Sequence, residues 1–132
     1  MIMDSKDRKV IKNKSFISSF KFACQGIKTV FKEERNMRIH VLLGGIAIVL
    51  GISFHLTLGE WLWLLFAIFL VWIMEVMNTI FENLVDMITD FCFHPIGKKV
   101  KDMAAGAVLI ATIFAVIIGV LLFGSKFWQF LH

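Results

Sequence analysis

The chain has 132 residues, of which 58% are hydrophobic and 18% charged, with a mean hydropathy of +0.80. A soluble domain of that length needs far more polar surface, so a water-soluble globule is excluded and one membrane unit, with no room for a second domain, is implied. The net charge of +4 calls for no nucleic-acid partner, because anionic lipids are enough to attract a basic N-terminal segment.

Residues 1–12 read as a loose charged tail. Residues 13–35 follow as a helix, in which Phe16, Phe20, Ala23 with Cys24, Ile27 and Phe31 recur at helical spacing while Lys21, Gln25, Lys28 and Lys32 occupy other faces. That pattern predicts an amphipathic helix lying in the membrane interface, either as a plain anchor or as one wall of a lipid site. The first long apolar run begins only near Val41 and no small-residue cleavage site precedes it, so no signal peptide is expected. Cys24 and Cys92 are far apart and lack metal-ligand spacing, which predicts free thiols.

Three membrane helices are predicted over residues 37–58, 61–86 and 102–123. The third is the clearest, since Met103 to Phe123 is 21 residues without a charge and about 20 cross a bilayer. The first rests on Val41 to Phe54, extended by His55 to Leu58, and the second on Trp61 to Met74, continued through Val76, Met77, Ile80, Phe81, Leu84 and Val85. Leu58, Gly59 and Glu60 are expected to form the tight connector between them, with Glu60 solvated. Asp90 to Lys99, holding His94, Pro95 and Gly97, reads as a loop.

Ten of the fourteen Lys and Arg residues lie in residues 1–38 and three more are Lys98, Lys99 and Lys101. The positive-inside rule therefore predicts a cytoplasmic N-terminus and 87–102 loop, with the hairpin turn and the C-terminus outside.

Glu75, Asn78, Glu82 and Asp86 emerge from the apolar run at spacings of three, four and four, which places them on one helix face. Carboxylates at a membrane boundary are expensive, so this stripe is expected to hold metal, move a proton, or both. Lys101 and Asp102 enter the third span together. An isolated lysine there would snorkel to the surface as an anchor, but beside a carboxylate and opposite an acidic helix it also suits a polyphosphate and metal. With Glu33 and Glu34 before the first span, the inventory fits phosphoryl transfer, which needs carboxylates for Mg²⁺, cations for phosphate and one carboxylate to accept a proton. No Walker A sequence or kinase glycine loop occurs, so the conventional nucleotide folds are excluded. His40 and His55 are too isolated to count as ligands, and Ala104, Ala105 and Gly106 permit close helix packing.

At Glu75, Asn78, Thr79, Glu82, Val85 and Asp86 the chain fills the pattern E-x-x-N-S/T-x-x-E-x-x-V-D and resembles the prokaryotic diacylglycerol kinase family of small integral-membrane lipid kinases. Lys101-Asp102 with the following Met-Ala-Ala-Gly run carries the same resemblance. Glu34 to His40, together with His94-Pro95, resembles the Gram-positive branch, whose members commonly phosphorylate undecaprenol. About residues 15–125 are covered. The resemblance implies an all-α integral membrane protein, a surface helix plus three transmembrane helices, assembled as a homotrimer with composite sites between subunits. It implies ATP-dependent phosphorylation of a lipid alcohol, undecaprenol or alternatively diacylglycerol. By the same resemblance Glu75 is the general base, Glu34 and Glu82 hold Mg²⁺, and Asn78, Lys101, Asp102 and His94 position ATP; Asp86 belongs to the motif and is expected to have an orienting or structural role rather than to react. A non-catalytic membrane assembly protein or ion relay is the other class considered; the complete motif argues against it. The surface helix departs from the family, which often has arginine near Ser15 and tyrosine near Phe22. Without tyrosine a hydrogen bond to nucleotide is lost, leaving Phe22 to stack on the base and Lys14 to supply the cation.

The spacing itself suits this allocation. Glu75 lies nearest the apolar run and Glu82 two turns toward water, and carboxylates about 10 Å apart along a helix can serve a hydroxyl and a metal separately.

Overall fold

The computed structural model describes residues 16–132, so the charged tail, Lys14 and Ser15 lie outside the described residues. The described chain is all helical: α1 (Phe16–Glu33), α2 (Arg35–Ser53), α3 (Leu58–Thr89) and α4 (Pro95–Leu131). The last three are long and apolar enough to cross a membrane. α3 is the central element and packs against α1, α2 and α4.

On α1 the expected apolar residues Phe16, Phe20, Ile27 and Phe31 are exposed, while Val30 is buried. A face of large apolar side chains with nothing over it suits a helix resting on lipid. Only Glu34 separates α1 from α2, in an extended conformation with φ −98° and ψ 115°. The elbow is closed by Arg38, whose guanidinium donates to the carbonyls of Lys32 at 2.8 Å and Phe31 at 3.3 Å. Those carbonyls belong to the last turn of α1, where no backbone partner remains for them.

The α2–α3 contact depends on two glycines. A Cβ on Gly44 would stand 3.0 Å from Ile68 Cγ2, and one on Gly51 would stand 2.9 Å from Trp61 Cη2. Leu56, Leu64 and Ile68 form the buried core beside these positions, flanked by Trp61, Trp72 and Phe123.

The hairpin turn is not where the Gly59 signal put it. Phe54 to Thr57 make the connection, with His55 at φ 51°, and Leu58, Gly59 and Glu60 are the first turn of α3. The reason is a capping box: Thr57 Oγ1 accepts from the Glu60 N–H at 3.4 Å, and Glu60 Oε2 accepts from the Thr57 N–H at 2.7 Å. Two otherwise unpaired donors are satisfied together, which outweighs the weak helix propensity of glycine. Glu60 is therefore not simply solvated; it also pairs with Lys126 of α4 at 3.0 Å.

A second correction falls at the other end of α3. The expected loop over 90–99 is helical from Pro95 onward, and α3 runs to Thr89. Asp90 and Phe91 take left-handed conformations, φ 52° and 58°, that end α3. His94 then caps α4, its Nδ1 accepting from the Gly97 N–H at 3.4 Å. Proline at the first helical position lacks only an N–H that would have had no partner there, so Pro95 starts a helix instead of breaking one.

At 37 residues α4 is about 55 Å long, well beyond the roughly 30 Å hydrocarbon layer. Almost none of its apolar stretch is buried within the chain.

Candidate active site

About five helical turns carry α3 from its capped start past the apolar run to Glu75, with Asn78 and Thr79 in the next turn; these are the buried polar residues of the described chain. Glu75 is 1% exposed. Thr79 is satisfied locally, its hydroxyl donating to the Glu75 carbonyl at 3.0 Å, whereas Glu75 Oε1 and Asn78 Oδ1 are buried with no hydrogen-bond partner. Unpaired buried acceptors cost free energy and mark sites where something else is to bind.

Around Glu75 the helices supply more acceptors. The carboxylates of Glu34, at the α1–α2 elbow, and Glu82, two turns further along α3, are close enough to act on its charge, and the Asn36 side chain lies within hydrogen-bond reach. Asn78 Nδ2 donates to Glu82 Oε1 at 3.1 Å, fixing the amide so that Oδ1 is left over. As N-cap of α2, Glu34 makes no capping bond with its side chain, which leaves its carboxylate available.

His40 of α2 sits against the same carboxylate, its Nε2 4.0 Å from Glu75 Oε2. The Trp72 indole N–H donates to the His40 carbonyl at 3.3 Å, tying α2 to α3 one turn before Glu75. Sequence reasoning set His40 aside and did not single out Asn36. The signal was faint, because only the α2–α3 pairing brings either of them to Glu75.

The other expected site residues form a second cluster between α3 and α4. Lys101 Nζ bonds Asp86 Oδ1 at 2.6 Å, so the lysine is committed to a carboxylate and is not a free snorkelling anchor. Asp102 faces away and pairs with Lys98 at 2.5 Å on the exposed side of α4. A cavity of about 320 Å³ lies here, lined by Asp86, Thr89, His94, Lys98 and Lys101 among others. Among the described residues no side-chain hydrogen bond or ion pair joins the two clusters. They are linked through α3, where Glu82 and Asp86 are one turn apart.

Among the described residues there is no group of three His, Cys, Asp or Glu side chains arranged around one point. The oxygens in the neighbourhood of Glu75, those of Glu34 and Glu82 with the spare ones of Glu75 and Asn78, are hard donors. They fit Mg²⁺, which takes one or two carboxylates and completes its shell with water and phosphate. Cys24 and Cys92 are free and exposed, as expected.

Such a fold and site define a class: helical membrane proteins that carry buried polar side chains with unpaired oxygens on a helix long enough to cross the bilayer. Residues 21–123 match the family model for prokaryotic diacylglycerol kinase. Similar proteins include an undecaprenol kinase of Bacillus subtilis, 37% identical over 124 residues, 94% of this chain and 99% of that one. A diacylglycerol kinase of Synechocystis is 38% identical over 105 residues, 80% of this chain but 60% of that one. One of Helicobacter pylori is 38% identical over 106 residues, covering 78% of this chain and 82% of that one. The chain belongs to the prokaryotic diacylglycerol kinase family, and it is a lipid kinase with membrane-spanning helices.

Proposed function

We propose that this kinase phosphorylates undecaprenol with MgATP at the cytoplasmic face of the cell membrane, giving undecaprenyl phosphate and ADP. The lipid assignment is supported by the Bacillus subtilis undecaprenol kinase, which matches almost end to end. The observation that carries the chemistry is the buried Glu75 carboxylate with one oxygen unpaired. The lipid hydroxyl donates its proton to that carboxylate as its oxygen attacks the γ-phosphorus, and the bond to the β-phosphate oxygen breaks to release ADP. An aliphatic alcohol entering sideways from the bilayer has to bring only its hydroxyl to Glu75.

Glu34 and Glu82 would hold Mg²⁺, which when bound offsets the charge on the transferring phosphate. Asn78 fixes Glu82, and Lys101 and His94 provide the cation and ring at the second cluster for the nucleotide, with Asp102 as an acceptor on the outer side of α4, where Lys98 holds it. We assign the protein a homotrimeric state with sites completed between neighbours. The uncovered apolar face of α4 and the division of the site residues into two clusters support that reading. The basic N-terminal segment and Lys98 to Lys101 support the cytoplasmic placement of both clusters.

The test is phosphate transfer from MgATP to undecaprenol and to diacylglycerol, presented separately in mixed micelles, with Glu75→Gln as control. Faster, Glu75-dependent transfer to undecaprenol is expected. Preference for diacylglycerol, the acceptor named in the Synechocystis and Helicobacter pylori relatives, would overturn the choice of lipid and keep the kinase. Transfer to neither would overturn both acceptors.

A further inference from the structure

Among the described residues the ion pair between Asp86 and Lys101 is the one side-chain bond between α3 and α4 at the second cluster, and its geometry follows from a glycine. Gly97 is buried against α3, where a Cβ would stand 2.8 Å from Val85 Cγ1 and 3.5 Å from Thr89 Cγ2. With no Cβ at 97, the first turn of α4 lies directly on the last turns of α3. Lys101 is one turn beyond Gly97 and Asp86 one residue beyond Val85, so the antiparallel packing brings the two side chains level. Their separation is 2.6 Å and both are about one-third exposed, which shields the pair from salt more than a surface pair.

The neighbouring charges are otherwise engaged. Lys98 is held by Asp102, and the His94 ring is used to cap α4. Lys101 alone reaches Asp86. An ammonium has three N–H donors and no acceptor; Asp86 takes one, and two remain for other oxygens at the adjoining cavity lined by both residues.

We propose that Asp86 is a positioning residue for ATP: its carboxylate holds the Lys101 ammonium where two N–H groups face the nucleotide phosphates. This rests on the reading of Lys101 as a phosphate cation. A lysine stem has four rotatable bonds, and freezing it costs conformational entropy each time phosphate binds unless the fold has already done so. Asp86 does so before ATP arrives. A negative charge near phosphate would by itself weaken ATP binding, so the two accounts predict opposite signs for removing it. Simple electrostatics predicts tighter ATP for Asp86→Asn; positioning predicts weaker.

The experiment is a double-mutant cycle on the purified protein in mixed micelles, with initial rates measured against MgATP and, separately, against the lipid acceptor. Asp86→Asn is expected to raise the KM for ATP about tenfold, the scale of ordering one long side chain, with the acceptor KM within about twofold and kcat at saturating ATP within about threefold. Asp86→Glu, which keeps a carboxylate, should fall between wild type and Asp86→Asn. In the Lys101→Met background, Asp86→Asn should add nothing, because the group it positions is gone. An unchanged or lowered ATP KM in Asp86→Asn would overturn the proposal, as would its full effect persisting beside Lys101→Met. Lys101→Met alone leaving the ATP KM unchanged would overturn the phosphate reading of Lys101 itself, a separate result.

Discussion

Replacing Glu75 with Gln tests whether the buried carboxylate is there for chemistry or for the fold. The substitution keeps length and shape and removes only the charge and the ability to take a proton. Little in the structure depends on that charge: Oε1 has no partner, His40 Nε2, at 4.0 Å from Oε2, is outside hydrogen-bond reach, and the Asn36 side chain can bond an amide oxygen as well as a carboxylate. The Thr79 hydroxyl bonds the backbone carbonyl of residue 75 and is indifferent to the change. General-base catalysis contributes about 10²- to 10⁴-fold, which is about 3–5 kcal/mol of barrier. We expect Glu75→Gln to lower kcat about thousandfold, with MgATP binding retained. A buried carboxylate lacking a cation costs stability that a neutral amide costs less of, so the thermal inactivation midpoint should stay level or rise. The assay is kcat with labelled ATP in mixed micelles, alongside nucleotide binding and thermal inactivation of the same preparations. A kcat within tenfold of wild type, or MgATP binding lost in step with turnover, would refute the assignment of Glu75 as base.

Glu82→Gln should behave differently, raising both the Mg²⁺ and the ATP concentration needed for half-maximal rate; equal ATP affinity and equal residual rate in the two variants would end this division of labour. Gly51→Ala places a methyl 2.9 Å from Trp61 Cη2 and 3.0 Å from Leu56 Cδ1, and overpacking of that kind costs about 1–3 kcal/mol. The inactivation midpoint in detergent should fall while kcat/KM of the surviving protein stays at the wild-type value; a large loss of kcat/KM would show the two ends of α2 to be coupled. Thr57→Ala removes half of the capping box and should cost about 1 kcal/mol, read as a smaller drop in the same midpoint with activity intact.

The three long helices were legible because hydropathy reports burial in lipid directly, and the Glu75 to Asp86 stripe because helical spacing is a local property. The turn and the loop were misplaced for one reason: Gly59, Pro95 and Gly97 were weighed as breakers without their neighbours. Thr57 with Glu60 is a capping box spelled out in sequence, and His94 before Pro95 is the start of a helix; both local signals were present. What could not be seen was contact across elements. That His40 meets Glu75, that Arg38 closes the α1–α2 elbow and that Asp86 takes Lys101 all depend on how helices pair, and no spacing within one helix encodes it. The family resemblance supplied the roles expected for Glu34 and Lys101, and the fold then placed Glu34 near Glu75 and Lys101 against Asp86.

α3 has no break in its 32 residues from the Thr57 cap to Asp90, so every residue in it is counted from the same origin. One residue removed between Trp61 and Met74 would swing Glu75, Asn78, Glu82 and Asp86 about 100° around the axis and draw them back about 1.5 Å. Glu75 would leave Glu34 and His40, and Asp86 would leave Lys101, while the helix itself stayed intact. The part-exposed side chains on this helix, such as Phe69, Ile73 and Met77, carry no polar group that must be placed and are free to exchange for others of like greasiness. Descendants of this chain should therefore differ from one another in the letters of this segment and agree in its length, with insertions and deletions confined to the ends.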